Sequence, residues 1–224
     1  MTGSPSQVAA QPRSELRAPD FFVVGHPKCG TSALFVMLRQ HPQIFMSAIK
    51  EPRFFSPELR SRFRRPEGDK RPHTLDGYLS LFAEARADQR VGEASPTYLR
   101  STQAAARIAE VAPHGRIIAI LREPASFLRS FHLQCVHDHI ESENDFAKAL
   151  ALEPERREGR RIPPYSHSPA TLLYSDHVRY VEQLRRFHDN FPAEQVLVLL
   201  YEDFRDDNEA TLRRVLRFLD EVAS

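Results

Sequence analysis

Val24-Gly25-His26-Pro27-Lys28-Cys29-Gly30-Thr31-Ser32 joins the apolar run at residues 21–24 to a stretch whose spacing predicts a helix, and it reads as a cradle for phosphate. A buried strand that ends in a glycine-bounded turn and opens into a helix aims several unpaired backbone N–H groups at one point in space. The positive end of the helix dipole points there too. Small residues let that backbone approach an anion closely, and Lys28 adds a cation. Residues 31–40 read as apolar on nearly every side, as expected of a helix buried against a sheet, and His41-Pro42 ends it before a strand near residues 44–47.

The spacing Gly25-x-x-x-x-Gly30 matches the first part of the nucleotide-triphosphate P-loop. The residue after the second glycine is Thr31, however, and Lys28 stands two residues before Gly30, which argues against an ordinary kinase or ATPase. A second constellation, Arg116-Ile117-Ile118-Ala119-Ile120-Leu121-Arg122-Glu123-Pro124, reads as a buried parallel strand entering a helix with proline in its first turn. An NTPase usually places an acidic metal ligand near the end of such a strand. Here the strand ends in Arg122, which prefers phosphate to Mg²⁺. Ser130 follows about two helical turns on, roughly 10 Å along the axis, a gap that a long arginine side chain can close.

The segment Pro27-Lys28-Cys29-Gly30-Thr31-Ser32-Ala33-Leu34 resembles the 5′-phosphosulfate loop of sulfotransferases that use 3′-phosphoadenosine 5′-phosphosulfate (PAPS). The resemblance implies that Lys28, Cys29, Gly30, Thr31 and Ser32 hold the 5′-phosphosulfate, and that Lys28 stabilises charge on the departing adenosine 3′,5′-bisphosphate (PAP). It further implies that Arg122 and Ser130 hold the 3′-phosphate. Ile49-Lys50-Glu51-Pro52-Arg53-Phe54-Phe55 is similar to the Lys-Glu-x-x-Phe-Phe segment of the branch containing heparan sulfate sulfotransferases and many bacterial members. By that similarity Glu51 is the catalytic base, since a hydroxyl or amine is a poor nucleophile until a carboxylate takes its proton. His132 is the second choice, because cytosolic members of the wider family use a histidine. Tyr78-Leu79-Ser80-Leu81-Phe82, Gly92-Glu93-Ala94-Ser95-Pro96-Thr97-Tyr98-Leu99 and Val196-Leu197-Val198-Leu199-Leu200-Tyr201-Glu202-Asp203 stand in the family's order. One departure is Ala94, where several polysaccharide-modifying members have lysine.

Composition agrees. The chain has 224 residues, 41% of them hydrophobic, which suits one domain with a sizeable core, and its formal charge of +1 excludes a strongly basic nucleic-acid surface as a whole-chain property. No apolar run approaches a membrane span and there is no hydrophobic signal segment, so a cytoplasmic protein is expected. The two cysteines, Cys29 and Cys135, make neither a disulfide framework nor a zinc cluster, and no metal is expected. Cys29 sits where a helix N-terminus can lower a thiol pKa, but a small residue that fits the loop is the simpler role.

Residues 1–19 are rich in Pro, Ser, Gln and Ala and read as a disordered leader, with the catalytic domain spanning 20–224. Residues 56–73 carry six Arg and Lys residues among prolines and read as a solvated loop. Helices are expected through Ala104, Ile108 and Val111, after Pro124, through Tyr174, Val178, Val181 and Leu184, and through Leu212, Val215, Leu216, Leu219 and Val222. Residues 153–169 read as an irregular loop. Alternating buried strands and helices imply a three-layer α/β/α fold with a central parallel sheet, similar to P-loop NTPases. Ligands of such sheets bind at the carboxyl ends of the strands, where both anion sites fall. The family resemblance also implies a closing basic loop beyond residue 224. The function expected is sulfuryl transfer from PAPS to a small-molecule, lipid or carbohydrate acceptor. A P-loop kinase or ATPase and a non-catalytic nucleotide-binding domain are the alternatives.

Overall fold

The computed structural model describes residues 16–59, 70–166 and 168–220. Most of the expected leader, the arginines at 60–65 and Val222 lie outside the described residues. Arg17 is already fastened to the fold, donating to the Gln89 carbonyl at 3.0 Å and pairing with Asp20 at 2.8 Å.

Five strands, β1 (Phe21–Gly25), β2 (Ile44–Met46), β3 (Arg90–Ala94), β4 (Arg116–Leu121) and β5 (Val196–Leu200), form one parallel sheet in the order β2-β3-β1-β4-β5. β1 lies at the centre, with Phe21 in register with Gly92 on one side and Arg116 on the other. The helices are α1 (Thr31–Arg39), α2 (Leu75–Leu79), α3 (Ala104–Val111), α4 (Pro124–His137), α5 (Phe146–Ala151), α6 (Glu153–Arg157), α7 (Tyr174–His177), α8 (Tyr180–His188), α9 (Tyr201–Asp206) and α10 (Asn208–Asp220). Among the described residues no helix is long and apolar enough to cross a membrane.

The strand period of two sorts the core into two layers. Phe21, Val23, Ile118 and Ile120 face one cluster with Leu34, Phe35 and Leu38 of α1, Phe127 and Phe131 of α4, and Val215 and Leu219 of α10. Phe22, Val24, Ile117 and Ala119 face the other, with Ile108 of α3, Phe187 of α8, Tyr78 and Tyr98. This is the three-layer α/β/α arrangement expected.

Three local expectations change, and one strand was not foreseen. β3 (Arg90-Val91-Gly92-Glu93-Ala94) has no apolar run, yet every residue of it but Arg90 is buried, with Glu93 satisfied inside by hydroxyl groups. α1 is amphipathic rather than apolar all round, with Val36 44% exposed. Residues 174–188 form two helices, and Val181 points outward at 70% exposed while the polar Gln183 is buried. Within the expected loop at 153–169, Pro154 sits in the first turn of α6, where its missing N–H costs nothing. Arg156 of that helix is buried against an equally buried Glu141, 2.8 Å away.

Candidate functional site

The turn after β1 is a left-handed backbone segment. Lys28 (φ 65°) and Gly30 (φ 82°) both occupy the region that L-residues with side chains disfavour. Gly30 has a second constraint, since a Cβ there would lie 2.8 Å from the Phe204 ring. As the residue preceding α1 it offers no side-chain cap, so the first amides of that nine-residue helix face the groove unclaimed by side chains. Lys28 is exposed and its Nζ donates to Oε1 of Gln134 on α4 at 3.3 Å.

Arg122 leaves the end of β4 beside this turn. Its Nε donates to Ser126 Oγ at 2.9 Å, one terminal nitrogen donates to the Lys28 carbonyl at 3.0 Å, and the guanidinium lies 4.7 Å from the Tyr201 ring centre. Glu123 does not pair with it; its carboxylate caps α4 by accepting from the Ala125 and Ser126 amides. The Tyr180 hydroxyl donates to the Arg122 carbonyl at 2.9 Å.

Lys28, Gly30, Thr31, Ser32, Arg122 and Ser130 line one groove of about 600 Å³. The structure thus brings together both expected anion sites. The Cys29 side chain is buried, and burial pushes its thiol up to about 12, as burial does for Cys135, which leaves the Cys29 backbone amide as what this residue can offer the groove. Both thiols are therefore packing groups. The far wall, Tyr201, Phe204 and Arg205 of α9 with Asn208, was missed as a site; its only sequence signal was the Tyr201-Glu202-Asp203 that follows an apolar strand. Lys28, Arg122 and Arg205 are the charged residues of this lining, which contains no carboxylate.

Glu51 stands on a separate loop between β2 and α2. Its amide donates to the Ala94 carbonyl at 3.0 Å, and both Glu51 (φ 57°) and Arg53 (φ 52°) are left-handed. Burial raises its carboxyl pKa, but Arg53 and Lys50, whose Nζ is 2.7 Å from Oε1, more than offset this and hold it below the usual range. Glu51 is therefore an ionised carboxylate with two cations on it.

His132 does not reach the groove. It is 2% exposed, its ring packs against Phe146 and Tyr174, and Nε2 lies 2.8 Å from the Glu143 carbonyl. Buried among these partners and absent from the groove lining, the second-choice base is corrected to a structural histidine. His26, inside the turn, is also buried. Nε2 meets Gln183 Oε1 at 2.8 Å, and burial drives its pKa down to about 4, so it supports the loop as a neutral ring.

The profile of a family described as the sulfotransferase family matches residues 19–222. Human carbohydrate sulfotransferase 15 is 25% identical over 248 aligned positions, covering 90% of this chain and 44% of its own length. Human bifunctional heparan sulfate N-deacetylase/N-sulfotransferase 3 is 25% identical, covering 91% and 22%. The chain thus spans less than half the length of these curated relatives. Among solved structures, a sulfotransferase from Alicyclobacillus acidocaldarius superposes with a TM-score of 0.78 at 34% identity, covering 91% of this chain and 81% of that one. The sulfotransferase domain of the curacin biosynthetic pathway, 15% identical with a TM-score of 0.57, shares the fold.

Proposed function

The chain belongs to the sulfotransferase family, and on that premise we propose that it moves a sulfuryl group from PAPS to a hydroxyl or amine acceptor by in-line attack. The observation that carries this reading is the groove itself. Lys28 and Arg122, from two separate segments, line the groove with the uncapped start of α1 and with no carboxylate in the lining, while Arg205 on the far wall is paired with Asp206 at 2.8 Å; this suits a ligand carrying two separate anionic groups. An acidic strand-end residue, which a Mg²⁺-dependent kinase site would use, is replaced by Arg122.

In this reading the amides of α1 with the Thr31 and Ser32 hydroxyls hold the 5′-phosphate end, and Arg122 with Ser130 holds the 3′-phosphate. PAPS supplies the activated sulfur. The acceptor oxygen or nitrogen bonds to sulfur as the bridging oxygen–sulfur bond breaks. Lys28 neutralises the charge left on that oxygen, and Glu51 takes the acceptor's proton. The names of the relatives, a carbohydrate and a heparan sulfate sulfotransferase, support a sugar hydroxyl or amine as acceptor. With Ala94 where a lysine is common, the cations beside the base are Lys50 and Arg53. A cytoplasmic location belongs to the same proposal, supported by two free, buried cysteines, and cell fractionation tests it.

Calorimetry with PAP, 5′-AMP and ATP tests the nucleotide; PAP should bind tightest, and preference for ATP with Mg²⁺ would overturn the reading. Labelled PAPS offered with a panel of sugar, phenol and lipid acceptors then tests transfer.

A further inference from the structure

Glu93 is the only carboxylate among the described residues that sits inside the central sheet with no cation on it. It lies on β3 at 0% exposure, and the fold surrounds it with hydroxyl groups: Tyr78 donates to Oε1 at 2.8 Å, Tyr98 to Oε1 at 2.9 Å and Ser95 to Oε2 at 2.8 Å. A buried carboxylate is costly unless its lone pairs are used, and three donors use them.

Two of those hydroxyls have a second task. Ser95 Oγ accepts from the Arg53 amide at 3.2 Å, and the Tyr98 hydroxyl accepts from the Phe55 amide at 3.3 Å. Tyr78 adds a third hold through its ring, stacked on Phe54 with centres 4.8 Å apart and planes 12° apart. Every partner of Glu93 therefore grips the segment that follows Glu51. That segment needs a grip, since Glu51 and Arg53 stand in left-handed backbone without being glycine, a strained conformation that persists only when surroundings over-determine it.

We propose that Glu93 is a positioning residue for the transfer reaction: through Ser95, Tyr98 and Tyr78 it orients the Glu51–Phe55 loop and so aims the Glu51 carboxylate at the acceptor. This rests on the reading of Glu51 as base. It assigns Glu93 no contact with substrate.

The test combines a structural and a kinetic measurement on the full chain. Glu93→Gln keeps the shape but places an NH₂ against a ring of donors. Ser95→Ala and Tyr98→Phe each cut one relay and leave the carboxylate. Amide hydrogen exchange should quicken at Arg53 alone in Ser95→Ala, at Phe55 alone in Tyr98→Phe and at both in Glu93→Gln, while β1 amides keep their protection. With the acceptor that wild type sulfates best, kcat for Glu93→Gln should fall roughly 10- to 100-fold, because a small misplacement of a reacting group costs that much. PAP affinity by calorimetry should stay within about twofold of wild type, since the groove residues are not among its partners. Unchanged protection at both amides would overturn the anchor. Loosened amides with unchanged kcat would show that the loop's position does not matter to the reaction. If wild type neither binds PAP nor transfers from PAPS, the proposed function fails, and the exchange pattern still decides whether Glu93 holds the loop.

Discussion

The turn at residues 25–32 and the loop at residues 51–55 solve one problem in opposite ways. Each follows a strand at the carboxyl edge of the sheet, and each bends through left-handed backbone. The first relies mainly on missing side chains, with Lys28 its one left-handed residue that is not glycine. Gly25 and Gly30 permit the bend, and the space they vacate is filled by the Ile120 carbonyl and the Phe204 ring. The second uses residues with full side chains and is held by a buried carboxylate and the hydroxyl groups it gathers. A bend made by glycine is a property of the backbone and tolerates changes around it. A bend held by side chains depends on residues some forty positions away.

The largest break of this comparison comes from filling the glycine space. Gly25→Ala would place a Cβ 2.5 Å from the Ile120 carbonyl oxygen, inside a strand pair that cannot separate. A loss of roughly 3 kcal/mol is expected, lowering Tm by about 6–12 °C for a chain of this size. A thermal midpoint within a degree of wild type would show that the turn is not locked to β4.

Chemistry comes next. Glu51→Gln should lower turnover roughly 100-fold with PAP affinity unchanged, whereas His132→Ala should lower the thermal midpoint and spare turnover of the folded fraction. The reverse pattern would restore His132 as base. Arg53→Ala removes the largest influence lowering the Glu51 pKa, so the acid limb of the kcat/KM profile should move to higher pH; an unmoved limb would detach that limb from Glu51.

Binding separates the two halves of the groove. Arg122→Ala should weaken PAP by roughly 10- to 100-fold and 5′-AMP much less, since charge-assisted bonds are worth about 1.5–3 kcal/mol. Equal weakening by calorimetry would remove Arg122 from the 3′-phosphate.

The smallest expected effect is a change of slope. His26 has a folded pKa lowered from 6.5 to about 4, so its neutral burial loses stability as pH falls from about 6.5 to 4. Glu93 runs the other way: burial raises its pKa from 4.5 to about 7, so it loses stability as pH rises from about 4.5 to 7. Between about 4.5 and 6.5 the two oppose each other. His26→Gln should therefore make Tm fall more steeply with rising pH across that window, and Glu93→Gln should make it climb. Parallel curves for the two variants would contradict the assignment.

The same contrast explains what could be read from the chain. The glycine turn was legible because its geometry is written in residue types, and so were the strands that run apolar for five residues. Arg122 stood out because it occupies the place where a metal ligand would otherwise stand, and the structure sets it in the groove with Lys28 and Ser130. β3 was hidden because its Glu93 breaks the apolar pattern and is satisfied by hydroxyl groups of Tyr78, Tyr98 and Ser95, the first two of which periodicity cannot connect. Val181 and Gln183 exchanged their expected sides for a similar reason: Gln183 is buried to serve His26 and the α7 carbonyls, and that service leaves no local trace. The α9 wall of the groove lies some 170 residues from Lys28 and is brought there by β5.

The hydrogen bond from Arg122 to the Lys28 carbonyl makes one arginine part of both halves of the groove. Occupancy at either end then changes the freedom of a residue serving the other, so the two anionic groups of one nucleotide are expected to bind with positive coupling. By reciprocity the same free energy must appear whichever fragment binds first. Inorganic phosphate and 5′-AMP offered together would then bind more tightly than either alone, and Arg122→Ala would make them indifferent to each other.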